Sequence, residues 1–137
     1  MLSSGRGGGA ILFADLDGFK TVNGRWGHAG GDALLVEVGR RLRGSVRDVD
    51  CVARTGGDEF AVAMRDVTAE EAAAAASRIR DACAAPFHLN GTSVTIGISV
   101  GVAHQDTDLG EATLDAADRD KYADKRRRAS LHPPGMS

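Results

Sequence analysis

Arg54-Thr55-Gly56-Gly57-Asp58-Glu59-Phe60 joins a short strand-like run, Cys51 to Arg54, to a second run in which Phe60, Val62 and Met64 alternate with alanines. Period-two alternation marks a half-buried strand, and Gly-Gly between two such runs is a hairpin signal. Paired glycines also reach backbone conformations, positive φ among them, that residues with a Cβ avoid. A hairpin tip needs only polarity, yet these glycines are followed at once by two adjacent carboxylates, Asp58 and Glu59. The combination points to a metal-bound anion lying over the backbone of the turn.

A partner for these acids lies upstream. Ala10 to Ala14 is a short continuous apolar run, as in a strand buried on both faces. It leads directly into Asp15-Leu16-Asp17-Gly18-Phe19-Lys20, and a buried strand that delivers carboxylates at its carboxyl end is a recurrent way to build a site. If the strand from Phe60 runs antiparallel to it, Asp15 and Asp17 meet Asp58 and Glu59. Each acid pair alone is equally well read as solvated acids at a strand end. Together they favour Mg²⁺, which prefers carboxylate and phosphate oxygens. Like charges at contact distance repel by about 4 kcal/mol in partly shielded surroundings, so a nucleotide could bind here only with divalent cations. Leu16 to Lys20 falls where a helix begins, so free backbone N–H groups and the Lys20 charge suit phosphate oxygens.

The remaining elements follow from periodicity. Phe19 to Asn23 reads as a short helix broken at Asn23-Gly24, followed by a loop containing His28. Asp32 opens an amphipathic helix with Leu34, Leu35, Val38 and Leu42 inward and Glu37, Arg40, Arg41 and Arg43 outward. Asn23 and Asp32 bracket that loop, and a carboxylate with an amide can read the N–H donors of guanine. Spacing alone favours Asp32 as a helix N-cap. Thr68 to Glu71 is a capping box that starts a helix through Ala85, with Ala72, Ala75 or Ala76, Ile79 and Cys83 inside and Pro86 as the stop. After a weak strand at Phe87 to Leu89, the stretch Val94 to Ala103 alternates large and small residues, as in a strand whose small face is approached closely by a helix. The last helix, about Leu109 to Arg128, ends in a basic cluster.

The expected order is β-α-α-β-β-α-β-β-α, an α/β sandwich with a mixed or mostly antiparallel sheet. Residues 1–9 read as a disordered leader or truncation scar, 10–129 as one domain and 130–137 as a tail. At 137 residues the chain can bury a core without disulfides. With 17 Lys and Arg against 19 Asp and Glu, nothing global argues for duplex nucleic acid or an anionic membrane surface. Cys51 and Cys83 form no framework, and there is no apolar run of membrane-spanning length or secretory signal, so the expected location is cytoplasmic. Arg47-Asp48-Val49-Asp50, taken alone, is a polar helix-to-strand loop.

With these residues in view, the sequence resembles the GGDEF diguanylate cyclase family. Gly56 to Phe60 is the signature itself. Asp15-Leu16-Asp17-Gly18-Phe19-Lys20, Asn23, Gly27-His28, Gly31-Asp32, Arg54, Ser99 to Ala103, Ala117-Asp118, Tyr122 and Lys125 fall at family spacings, over roughly residues 10–125. The resemblance implies a nucleotidyl-cyclase-like, ferredoxin-like α/β (α+β) fold, its mixed or antiparallel central sheet flanked by helices. It implies condensation of two GTP into cyclic di-GMP with release of two pyrophosphates. Two Mg²⁺ or Mn²⁺ ions per GTP would be held by Asp15, the Leu16 carbonyl, Asp58 and Glu59, and one of the last two acids would help deprotonate the ribose 3′-hydroxyl.

Further roles come by the same resemblance. Asn23 and Asp32 would read guanine with His28 at the edge of the pocket, while Phe19, Gly56 and Gly57 would lie along the nucleotide. Lys20 and Lys125 would serve the phosphates and the transition state. Arg47 and Asp50 acquire a role too, because they stand at the spacing of the family's RxxD product-inhibition site. Since one domain holds one GTP, the implied active species is a transient homodimer.

The sequence also departs from the family. An amino-terminal segment and any sensor domain are missing, which suggests a fragment. The arginine expected at Ala129 is absent, with Arg128 one residue away, and Lys121 stands where an apolar residue usually packs. A non-catalytic domain that binds GTP or cyclic di-GMP is the alternative reading.

Overall fold

Strand β1 (Gly9–Asp17) is an inner strand of an antiparallel sheet in the computed structural model, which describes residues 8–106 and 109–131. It is followed by α1 (Phe19–Ser45), β2 (Cys51–Arg54), β3 (Glu59–Arg65), α2 (Ala69–Ala84), β4 (Phe87–Leu89), β5 (Thr92–Val94), β6 (Gly97–Gln105) and α3 (Glu111–Leu131). The main sheet has the order β2-β3-β1-β6, and every neighbouring pair is antiparallel. Leaving aside the separate β4–β5 hairpin, this is the ferredoxin-like βαββαβ arrangement with α3 added, as expected.

Parity along β1 sorts the layers. Ala10, Leu12, Ala14 and Leu16 are buried together with Val62 and Met64 of β3, Ile98 and Val100 of β6, and the inner residues of α1 and α2. The inner residues of α1 are Leu34, Leu35, Val38 and Leu42; those of α2 are Ala72, Ala75, Ala76, Ile79 and Cys83. Strand side chains alternate faces, so Phe13, Asp15 and Asp17 point to the opposite face, where α3 lies. There α3 comes so close to β6 that a Cβ on Gly101 would collide with the backbone of Ala117 and Lys121. The small face expected of this strand is thus the α3 face.

Side chains of the helices cover the outer edge of β6. The Val102 and Val100 N–H groups donate to Asp120 at 2.7 Å and Asp124 at 2.8 Å, and Arg80 donates to the Val100 carbonyl at 3.1 Å. Such cover satisfies backbone groups that an open edge strand would present to another chain.

Several boundaries differ from expectation. Strand β1 continues past Ala14 through Asp17, because Asp15 and Asp17 remain in register with Ser99 and Gly97 of β6. The first two helices are one continuous element interrupted at Gly27 (φ 75°, ψ 177°), not at Asn23-Gly24. That conformation is open to glycine alone. Asp32 therefore lies within the second half of α1 and is not its N-cap.

Arg41 does not face outward. Its guanidinium donates to the Ala82, Ala85 and Pro86 carbonyls at the end of α2 and stacks 3.6 Å over the Phe87 ring. The long strand expected from Val94 to Ala103 is divided: Asn90 and Gly91, both at positive φ, turn Thr92–Val94 back onto Phe87–Leu89. Helix α3 begins at Glu111 and extends two residues into the expected tail. The expected leader through residue 7 and the tail from residue 132 lie outside the described residues, whereas Gly9 already belongs to β1. The capping box forms as expected, with Glu71 N–H donating to Thr68 Oγ1 at 3.0 Å and Thr68 N–H to Glu71 Oε1 at 2.8 Å.

Candidate active site

Antiparallel pairing of β1 with β3 brings the two acid clusters together. Asp15 and Glu59 are Cα partners, and the Leu16 N–H donates to the Asp58 carbonyl at 3.1 Å. The connecting turn is closed by the Thr55 N–H donating to the Glu59 carbonyl at 2.9 Å. Neither Gly56 nor Gly57 adopts a positive φ, contrary to expectation, and a Cβ on Gly57 would meet nothing within 4 Å. Neither backbone conformation nor internal packing calls for glycine there. The space above the turn is open.

Lysines from α3 reach these acids. Lys125 Nζ lies 3.3 Å from both Asp15 Oδ2 and Asp17 Oδ1. Lys121 Nζ donates to Glu59 Oε2, and lies 3.2 Å from Asp118 Oδ1 and 3.9 Å from Asp15 Oδ2. The Lys121 side chain is only 1% exposed. Burial works against its charge but is outweighed by Glu59 and Asp118, which raise its pKa above the ordinary lysine value. Lys125 is raised likewise, with Asp15 and Asp17 outweighing burial. For Asp15, burial and the neighbouring Asp58 charge prevail over the two lysines and push the carboxyl upward.

One oxygen of this cluster lacks a partner. Asp15 Oδ1 is buried and accepts no hydrogen bond, and among the described residues no ion pair is made to Asp58. A buried carboxylate oxygen without a donor, beside a second unpaired carboxylate, is a donor set suited to a hard divalent cation. The acids do not form a closed ring: among the described residues no three His, Cys, Asp or Glu side chains converge on one metal-sized position. The lysines hold Glu59 and the other Asp15 oxygen.

The remaining candidates are distributed around this centre. Helix α1 starts at Phe19 with no side-chain cap on its first turn, leaving N–H groups free beside the exposed Lys20. Asn23 is half-buried, and its Oδ1 lies where a Cβ on Gly31 would be, so it abuts the residue before Asp32. Asp32 is exposed and, with Leu35, Val36 and Arg54, lines an open cleft of about 340 Å³. His28 is exposed and makes no described contact with either.

Arg128 Nε donates to Asp17 Oδ2 at 2.7 Å, so it points toward the acid face while Ala129 is exposed. Arg47 and Asp50 pair with each other. The Asp50 carboxylate, 0% exposed, accepts from the Arg47 backbone N–H at 2.8 Å and from its guanidinium at 2.6 Å. This holds the Asp50 carboxyl below the usual range despite burial.

Lys121 is the residue whose place in the site the sequence pattern does not reveal. In sequence it is only a lysine where an apolar residue usually packs; its contact with Glu59 depends on the register of α3 over β6.

The family model described as "Diguanylate cyclase, GGDEF domain" matches residues 4–130. The chain is 43% identical over 123 residues to diguanylate cyclase TpbB of Pseudomonas aeruginosa, an alignment covering 85% of this chain and 28% of that protein. It thus spans little more than a quarter of this relative. The crystal structure of the GGDEF domain of YfiN (TpbB) from P. aeruginosa superposes with a TM-score of 0.81 at 40% identity, covering 89% of this chain and 78% of that one. The GGDEF domain of DgcB from Caulobacter crescentus, solved in complex with c-di-GMP, gives 0.81 at 26% identity, with 91% and 76% covered.

Proposed function

The chain belongs to the GGDEF diguanylate cyclase family, and from that premise we propose that it condenses two GTP into cyclic di-GMP with release of two pyrophosphates. The observation that carries this reading is the strand pairing that sets Asp15 opposite Glu59, with Asp58 adjacent, beside an open glycine turn, Asp15 Oδ1 being buried and unpartnered among the described residues.

In this proposal, the uncapped first turn of α1 and Lys20 bind the phosphates, with Phe19, Gly56 and Gly57 along the nucleotide. Asp32 and Asn23 accept from and donate to guanine, His28 borders the base, and Lys125 moves from Asp15 and Asp17 to the phosphates. Asp15, the Leu16 carbonyl, Asp58 and Glu59 would hold Mg²⁺ or Mn²⁺, with places for two ions per GTP. When bound, such ions neutralise polyphosphate charge and orient in-line attack on the α-phosphorus. Asp58, which has no cation partner among the described residues, takes the ribose 3′-hydroxyl proton.

One domain presents one GTP, so the reaction joins two copies face to face as a transient homodimer. Substrate supply puts the reaction in the cytosol. No described helix is long and apolar enough to cross a membrane, and the balanced charge favours no nucleic acid duplex. Product would restrain turnover through Arg47, whose side chain is 40% exposed and held in place by Asp50.

A second reading, a non-catalytic domain binding GTP or cyclic di-GMP, is favoured by Ala129 at the expected arginine and by the lysines already on Glu59 and Asp15. Incubation with GTP and Mg²⁺, with chromatography for cyclic di-GMP and Asp58→Ala as control, separates the two.

A further inference from the structure

Lys121 is the only buried lysine or arginine among the described residues, and its ammonium sits on the acids that would hold metal. We propose that Lys121 is a built-in cation that occupies Glu59 and competes with one of the two divalent ions. The inference rests on the metal-site reading above and concerns how that site is loaded.

Three observations converge. First, the ammonium reaches Glu59 Oε2 and Asp118 Oδ1 directly and lies 3.9 Å from Asp15 Oδ2, between acids of β1, β3 and α3. Second, its position is set by packing. The Lys121 backbone lies against Gly101, and the Asp120 and Asp124 carboxylates on either side accept from β6 N–H groups, so the helix segment carrying it is fixed to the sheet. Third, satisfaction is uneven. An ammonium is a point charge with three donors. It serves Glu59, yet among the described residues Asp15 Oδ1 remains without a donor and Asp58 without a cation.

One divalent ion therefore has an open place at Asp15 and Asp58. A second, toward Glu59, must displace the ammonium or bind beside it against like-charge repulsion. Lys121 keeps Glu59 paired before loading and weakens the second ion's hold.

The test is a Mn²⁺ titration of the full chain followed by electron paramagnetic resonance, with circular dichroism to verify folding. The wild-type protein should take up one ion and bind a second at least about tenfold more weakly. Lys121→Met should tighten the second by about the same factor. Lys121→Gln, which keeps nearly the length without the charge, should do likewise and decides the matter if the methionine variant does not fold. Identical titrations of folded wild-type and variant proteins, with Mn²⁺ bound in each, would overturn the competition while sparing the metal site. No Mn²⁺ binding by any of the three would overturn both.

Discussion

Asp15 and Glu59 stand directly opposite each other across β1 and β3, and Lys121 lies between them, in contact with Glu59 and 3.9 Å from Asp15. Facing acids destabilise a sheet unless compensated. Here compensation is partial: Glu59 has its own ammonium, whereas Asp15 shares two lysines and keeps one oxygen buried without a donor. Such an uncompensated group belongs to function more than to stability.

Asp15→Asn should accordingly stabilise the metal-free protein at neutral pH, by about 1 kcal/mol, the usual gain when a functional-site strain is relieved. The sign follows from the raised Asp15 pKa, caused by burial and Asp58. The folded state binds the proton more tightly than the unfolded one, so the destabilisation present above the folded pKa fades as pH falls through it. Urea unfolding of the two proteins at pH 7 and in mild acid checks this. A less stable variant at pH 7 would contradict it.

Arg47→Ala should lower cyclic di-GMP affinity in calorimetry while leaving GTP binding largely intact. It should also destabilise the fold by about 2 kcal/mol, less than the full loss of a buried pair because the guanidinium is partly solvated. Asp50 has a lowered pKa, with Arg47 outweighing burial. Its contribution is present above the unfolded carboxylate pKa and lost as pH falls through the folded one. The variant should therefore lose stability less steeply on acidification. Unchanged product affinity would reject the inhibitory role.

Gly101→Ala should cost about 3 kcal/mol, as expected when a side chain is forced into close packing. The added Cβ would lie 2.6 Å from Lys121 Cα and closer still to its amide nitrogen. Since α3 must lift, the lysines should lose their hold on Asp15 and Glu59 as well. Denaturant unfolding reads the cost, and a loss below about 0.5 kcal/mol would show that α3 does not pack this tightly.

Much of this was legible in the sequence because local signals agreed. The large-small alternation of Val94 to Ala103 marks a sheet face for a helix, which the structure bears out over β6, and the antiparallel pairing that joins Asp15 to Glu59 follows from strands meeting end to start. What escaped depended on register or on tertiary override. Asn23-Gly24 is a standard break, but helical hydrogen bonding continues through it to Gly27. Asp32 looks like a cap only if a helix begins there. Lys121 stands out in the sequence only as a lysine where an apolar residue usually packs, since only the position of α3 over β6 determines what its ammonium meets.

The two thiols should differ sharply. Cys51 is exposed and Cys83 is buried, its pKa pushed up by burial to about 11. At pH 8 a maleimide should modify Cys51 alone, with Cys83 reacting only under unfolding conditions. Equal labelling rates in the native protein, read by mass spectrometry, would place Cys83 outside the α1–α2 core.

The central claim is that Asp15, Asp58 and Glu59 form a working cyclase site, and chromatography of a GTP and Mg²⁺ reaction tests it most directly. Cyclic di-GMP should accumulate with the wild-type chain at a rate rising with the square of protein concentration, as face-to-face pairing requires, and Asp58→Ala should yield none. If the folded wild-type chain binds GTP but forms no cyclic di-GMP, or if Asp58→Ala forms it equally well, the account is contradicted.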